Sequence, residues 1–107
     1  MLRKYILDGH TPVPCDDLEQ LGEWLESADR IVRQETVCGI FVSTIFLTLD
    51  HNFQGEGAPV LFETMLSPDV EWFPVHTRYC TWDEALTGHR LIVELLKQKL
   101  SVHSSIK

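Results

Sequence analysis

Apolar residues along the chain change their spacing several times, and each change predicts an element. Lys4 to Leu7 (KYIL) is a short β-prone run closed by Asp8-Gly9, and HTPVPC after it, with Pro12 and Pro14, predicts an extended loop. Leu18, Leu21, Trp24, Leu25 and Ala28 then recur at three- and four-residue spacing. They predict a helix over about Asp17 to Ser27, opened by Asp16 as N-cap with Glu19 as its capping-box partner. Arg30 to Val37 (RIVRQETV) alternates as a strand, and Cys38-Gly39 is short enough to be a hairpin turn. Ile40 to Leu49 is apolar on both parities, the pattern of a central strand.

HNFQGEGAP is a Gly-rich loop, and Val60 to Leu66 (VLFETML) is the next strand, with Glu63 and Thr64 set among its apolar residues. Pro68-Asp69 marks a turn, and Val70 to Cys80 predicts a further strand, irregular at Pro74. Thr81 and Glu84 form a second capping box, opening a helix that runs to about Lys99. At about 100° per residue, Trp82, Ala85, Leu86, Ile92, Val93, Leu96 and Leu100 share one face, with His89 at its centre. The order β-α-β-β-β-β-α predicts an α+β fold: a mostly antiparallel sheet of about five strands with two amphipathic helices packed against it. Residues 1–100 make one domain, and SVHSSIK (101–107), which has no periodicity, is read as a frayed tail.

Composition narrows the function classes. The 107 residues are 44% hydrophobic and 23% charged, ordinary for a globular domain. Sixteen Asp and Glu against nine Lys and Arg give a formal charge of −7. Phosphate backbones repel such a domain, so direct nucleic-acid binding is disfavoured. The same charge serves solubility, or docking onto the basic surface of another protein. Asp16, Asp17, Glu19, Glu23 and Glu26 cluster on the first helix and form the candidate acidic interaction face. Cys15, Cys38 and Cys80 are odd in number and show no C-x-x-C spacing, which argues against a disulfide framework, a zinc knuckle or a c-type haem. Reduced thiols fit a cytoplasmic protein. The apolar part of MLRKYILDGH is too short for a signal peptide or a membrane span.

Candidate chemistry centres on His89, which reads either as a hydrogen-bonded core histidine or as a base in a pocket with Ser43, Thr44, Asp50, His51 and Glu63. Thr64 is a further partner for the imidazole. Asp50-His51 could supply half of a metal site, but zinc needs three or four ligands, and the remaining histidines show no ligand spacing. The alternative is that Asp50 and His51 end a strand and bond to the Gly55/Gly57 loop. No P-loop, Rossmann fingerprint, nucleophile elbow or HExxH occurs, so no cofactor and no metal are expected.

The stretches VSTIFLTLDHNF, PVLFETML and RYCTWDEALTGH, in this order and spacing, resemble a family of small phage and prophage proteins, as does the opening KYILDGHTPVPCDDLEQLGEW. The resemblance covers nearly the whole chain, although the ending VELLKQKLSVHSSIK is longer than the family's short tails. It implies phage origin and action inside a bacterial host, and it carries no activity. Two function classes follow. One is a non-enzymatic accessory protein that binds a host protein with a basic surface, an immune or nucleic-acid-processing one, in an inhibitor or anti-defence role. The other is a small-molecule or nucleotide-signal binding domain, or a modest hydrolase, with its pocket near His89 and Glu63. A homodimer through a sheet edge or a helix face is a third arrangement.

Overall fold

A computed structural model describes residues 3–54, 56–71 and 76–105, with the side chains of 76 and 101–105 excepted. Eight elements follow in the order β1 (Tyr5–Asp8), β2 (Thr11–Pro14), α1 (Leu18–Ser27), β3 (Ile31–Val37), β4 (Ile40–Phe46), β5 (Phe62–Ser67), β6 (His76–Tyr79) and α2 (Trp82–Ser105). The fold is α+β, as expected, but the strands form two antiparallel sheets rather than one of about five. A hairpin of β1 and β2 stands beside a four-stranded meander in the order β3-β4-β5-β6.

The second strand overturns the loop expected over HTPVPC. Pro12 and Pro14 face Leu7 and Tyr5 across the hairpin. They lie two residues apart, so both nitrogens point to the same edge. The ladder with β1 is then carried by the residues between them, and Cys15 continues it by donating its N–H to the Lys4 carbonyl at 2.8 Å. Gly9, at φ +63°, makes the two-residue turn.

Other boundaries shift for local reasons. Asp17, not Asp16, caps α1, its Oδ1 accepting from the amides of Glu19 (3.0 Å) and Gln20 (3.2 Å). Cys38 and Gly39, at φ 50° and 84°, form the predicted hairpin turn with both residues left-handed. β4 ends at Phe46, three residues early, because the chain turns at Thr48, whose φ is +73°. Beyond that turn the apolar run changes partner: the Tyr5 amide bonds to the Thr48 carbonyl, Leu49 bridges Lys4, and the Asp50 amide bonds to the Arg3 carbonyl. This stitches the hairpin to the main sheet. The expected irregularity at Pro74 lies outside the described residues. The last helix continues to Ser105, past the expected end at Lys99, and no Gly or Pro interrupts it after Gly88.

One face of the meander packs on α2 and the other does not. Val42, Thr44 and Phe46 of β4, with Phe62, Thr64 and Leu66 of β5, point to the helix and are buried. On the opposite face Gln34, Thr36, Phe41, Met65, Ser67 and Arg78 are exposed. The buried face holds two apolar clusters. Val37, Val42, Leu66, Ile92, Val93 and Leu96 form one. Tyr5, Phe46, Leu61, Phe62 and Ala85 form the other, with Trp24 and Trp82 against its rim. Between them, on the same face, lies a polar belt.

Candidate functional site

The belt follows from strand and helix register. In β4 the residue between Val42 and Phe46 on the inner face is Thr44; in β5 the residue between Leu66 and Phe62 is Thr64, its cross-strand partner. α2 places His89 between Ala85 and Ile92, over both threonines. Thr44 and His89 are 0% exposed and Thr64 2%. Unpaired, such groups would each cost about 1–3 kcal/mol. Here each is paired. Thr44 Oγ1 bonds to Thr64 Oγ1 and to His89 Nδ1 at 2.7 Å, and Thr64 Oγ1 bonds to the Tyr79 hydroxyl at 3.1 Å. At the other end His89 Nε2 lies 2.9 Å from Glu35 Oε2, which also accepts from Arg33 Nε at 2.8 Å.

Proton counting orients the neutral chain. A carboxylate only accepts, so His89 Nε2 donates to Glu35. With a neutral imidazole Nδ1 accepts from Thr44, which accepts from Thr64, which accepts from Tyr79; with both ring nitrogens protonated each of these bonds runs the other way. The Glu35 carboxyl is held below its ordinary range, first by the Arg33 bond and then by the His89 bond. Burial pushes the Tyr79 phenol up, and its bond to Thr64 partly offsets this.

Carboxylate, imidazole and hydroxyl stand in the order that activates a nucleophile in hydrolases. Chemistry would further need an open approach to the hydroxyl, and Thr44 Oγ1 is sealed between sheet and helix with two bonds already made. The belt is a network of buried side chains whose hydrogen bonds are satisfied.

The other expected pocket residues are not brought to it. Ser43 lies on the opposite face of β4, accepting from Gln34 Nε2 at 2.9 Å. Glu63 shares that opposite face, buried and bound by Arg78 Nε at 2.9 Å. Asp50 and His51 order the loop that follows β4: Asp50 Oδ1 accepts from the amides of Asn52 and Val60, and the His51 amide donates to the Val60 carbonyl. Asn52, rather than His51, holds the loop's far side through the Ala58 carbonyl at 3.0 Å. Among the described residues no group of three or more His, Cys, Asp or Glu could hold a metal ion.

Two members of the network escaped the sequence reading. Glu35 was hidden because RIVRQETV looks polar on its outer side, yet Glu35 shares a face with buried Val37 two residues on. Tyr79 sat in a segment whose register could not be read around Pro74.

A cleft of about 260 Å³ lies elsewhere, between the β1–β2 turn and the start of α2, where His10 stacks on Trp82 with ring centroids 3.7 Å apart. The candidate acidic face is exposed: Asp16, Asp17, Glu19, Glu23 and Glu26 all reach solvent, with Asp17 engaged in the cap. Beside them Leu18 and Leu25, expected in the core stripe, are 69% and 41% exposed, and only Leu21 of that helix is buried. No described helix is long and apolar enough to cross a membrane. Compared with protein-family models, curated proteins and solved structures, the chain matches none.

Proposed function

We propose that this chain is a small non-enzymatic phage accessory protein that acts in the bacterial cytoplasm by binding a host protein with a basic surface, in an inhibitor or anti-defence role. The phage setting rests on the resemblance of its STIFLTLDHNF, PVLFETM and RYCTWDEALTGH stretches. The mode of action rests on α1. Its outward sector sets Leu18 and Leu25, one above the other at a seven-residue interval, beside Glu19, Glu23 and Glu26. An amphipathic helix offering two apolar anchors and an acidic flank suits an apolar groove rimmed by Lys and Arg. A nucleic-acid-processing or immune protein carries such a rim where it contacts phosphates. The sealed belt around His89 leaves the pocket reading without comparable support.

The experiment is a pull-down from host lysate at low and at moderate salt, using wild type, Leu18→Ser and Glu19→Lys/Glu23→Lys, each first shown to be folded by circular dichroism. The expected result is a partner that wild type retains at low salt, releases at moderate salt, and that both variants lose at low salt. The reading is sunk if no salt-sensitive partner is captured, or if the captured partner ignores both α1 changes.

A further inference from the structure

α2 carries a second apolar surface, on its side away from the sheet. Ala85, His89, Ile92, Val93 and Leu96 face inward, yet Leu91 and Leu95 are 61% and 43% exposed. They stand four residues apart and form one ridge. We propose that this ridge is a self-association surface, on which α2 of a second copy of this chain packs antiparallel about a twofold axis between Leu91 and Leu95.

The occupant follows from the charges that flank the ridge. In an antiparallel twofold pair, Leu91 of one copy meets Leu95 of the other, and each flank meets the same flank of its partner. On one flank this sets Arg90 of one copy against Glu94 of its partner, twice over by symmetry. Parallel pairing sets opposite flanks together, so Arg90 and Glu94, which share a flank, would not meet each other across it. Antiparallel packing also opposes the two helix dipoles favourably. Glu94 makes a 3.9 Å contact with Lys97, both side chains being more than half exposed, so turning to a partner's guanidinium disrupts little. The surface is small, with two leucines per copy, so the dimer belongs to the weak end of specific interfaces. It is separate from the α1 face, and neither reading depends on the other.

Sedimentation equilibrium of the full chain, from about 10 µM to about 1 mM in low salt, tests this. Wild type should show a monomer–dimer equilibrium within that range. Leu91→Glu, at an exposed position that leaves the fold intact, should raise the dissociation constant at least about tenfold. Arg90→Glu and Glu94→Arg should each weaken the dimer, and the double exchange should restore it, because antiparallel symmetry pairs these two side chains with each other. Glu19→Lys/Glu23→Lys should leave it unchanged, which separates failure here from failure of the α1 reading. A monomer throughout, a dimer indifferent to Leu91→Glu, or a double exchange that does not restore association would each overturn the proposal.

Discussion

Glu35 serves two partners at once. Its side chain is 30% exposed, yet one of its oxygens closes the buried chain at His89 while also holding Arg33. Remove that acceptor and a fully buried imidazole N–H loses its partner, which is costlier than losing an ordinary surface contact. Linkage gives the pH dependence. The unfolded carboxyl titrates near 4.5 and the folded one below it, so folding favours the ionised form. The resulting stability is complete above the unfolded value and is lost as pH falls through the lower folded value. Because Glu35 and Arg33 are both partly solvated, the effect is modest. Thermal unfolding of wild type and Glu35→Gln between about pH 7 and pH 3 should show the variant less stable at neutral pH, with the gap closing on acidification. Parallel curves across that range would remove Glu35 from this role.

α2 leaves no room for a larger side chain at Gly88. Gly88 faces Tyr79 so closely that a Cβ there would clash with the tyrosine ring, at Cε1, Cζ and the hydroxyl. Alanine is the better helix former by about 1 kcal/mol, so propensity alone predicts that Gly88→Ala stabilises. Packing predicts the reverse, because the ring is tied to Thr64 through its hydroxyl and rests at the rim of an apolar cluster. Overpacking of this kind costs typically about 1–3 kcal/mol, and displacing Tyr79 also breaks the outer end of the belt. Chemical denaturation should find Gly88→Ala destabilised by about 1–2 kcal/mol net, and combining it with Tyr79→Ala should remove the clash component. This helix also shows what a sequence can reveal. Its 3.6-residue period located the buried face and put His89 at its centre, because periodicity reports which side is apolar. It could not show that Glu35, 54 positions away, would meet that histidine, since cross-element register depends on the bulge between Ile31 and Arg33. The same limit explains α1: its apolar stripe was legible, but how much of the stripe the neighbouring sheet would cover was not, and Leu18 and Leu25 stayed outside.

For the whole molecule, the question is whether a core divided by polar side chains behaves as one unit. The two apolar clusters are separated by Thr44, Thr64 and His89, which suggests two regions able to melt independently. The elements argue otherwise. β4 supplies Val42 to one cluster and Phe46 to the other, β5 supplies Leu66 and Phe62, and α2 supplies Ile92 and Ala85. β4, β5 and α2 therefore build both clusters, while Val37 of β3 and Tyr5 of β1 each join one. The belt itself bonds helix to sheet at the division, so neither half can open without leaving buried groups unpaired. A domain of this size usually unfolds in one step, and here the continuity of three elements requires it. Val42→Ala and Phe46→Ala, one in each cluster, should each lower stability by about 1–5 kcal/mol, the phenylalanine costing more. Each should shift a single transition that far-UV circular dichroism and tryptophan fluorescence report at the same midpoint. Trp24 and Trp82, two of the three tryptophans, border the Phe46 cluster, so fluorescence is weighted to that half. If Val42→Ala moved the circular dichroism midpoint while leaving the fluorescence midpoint in place, the belt would be a boundary between two folding units rather than the seam that joins them.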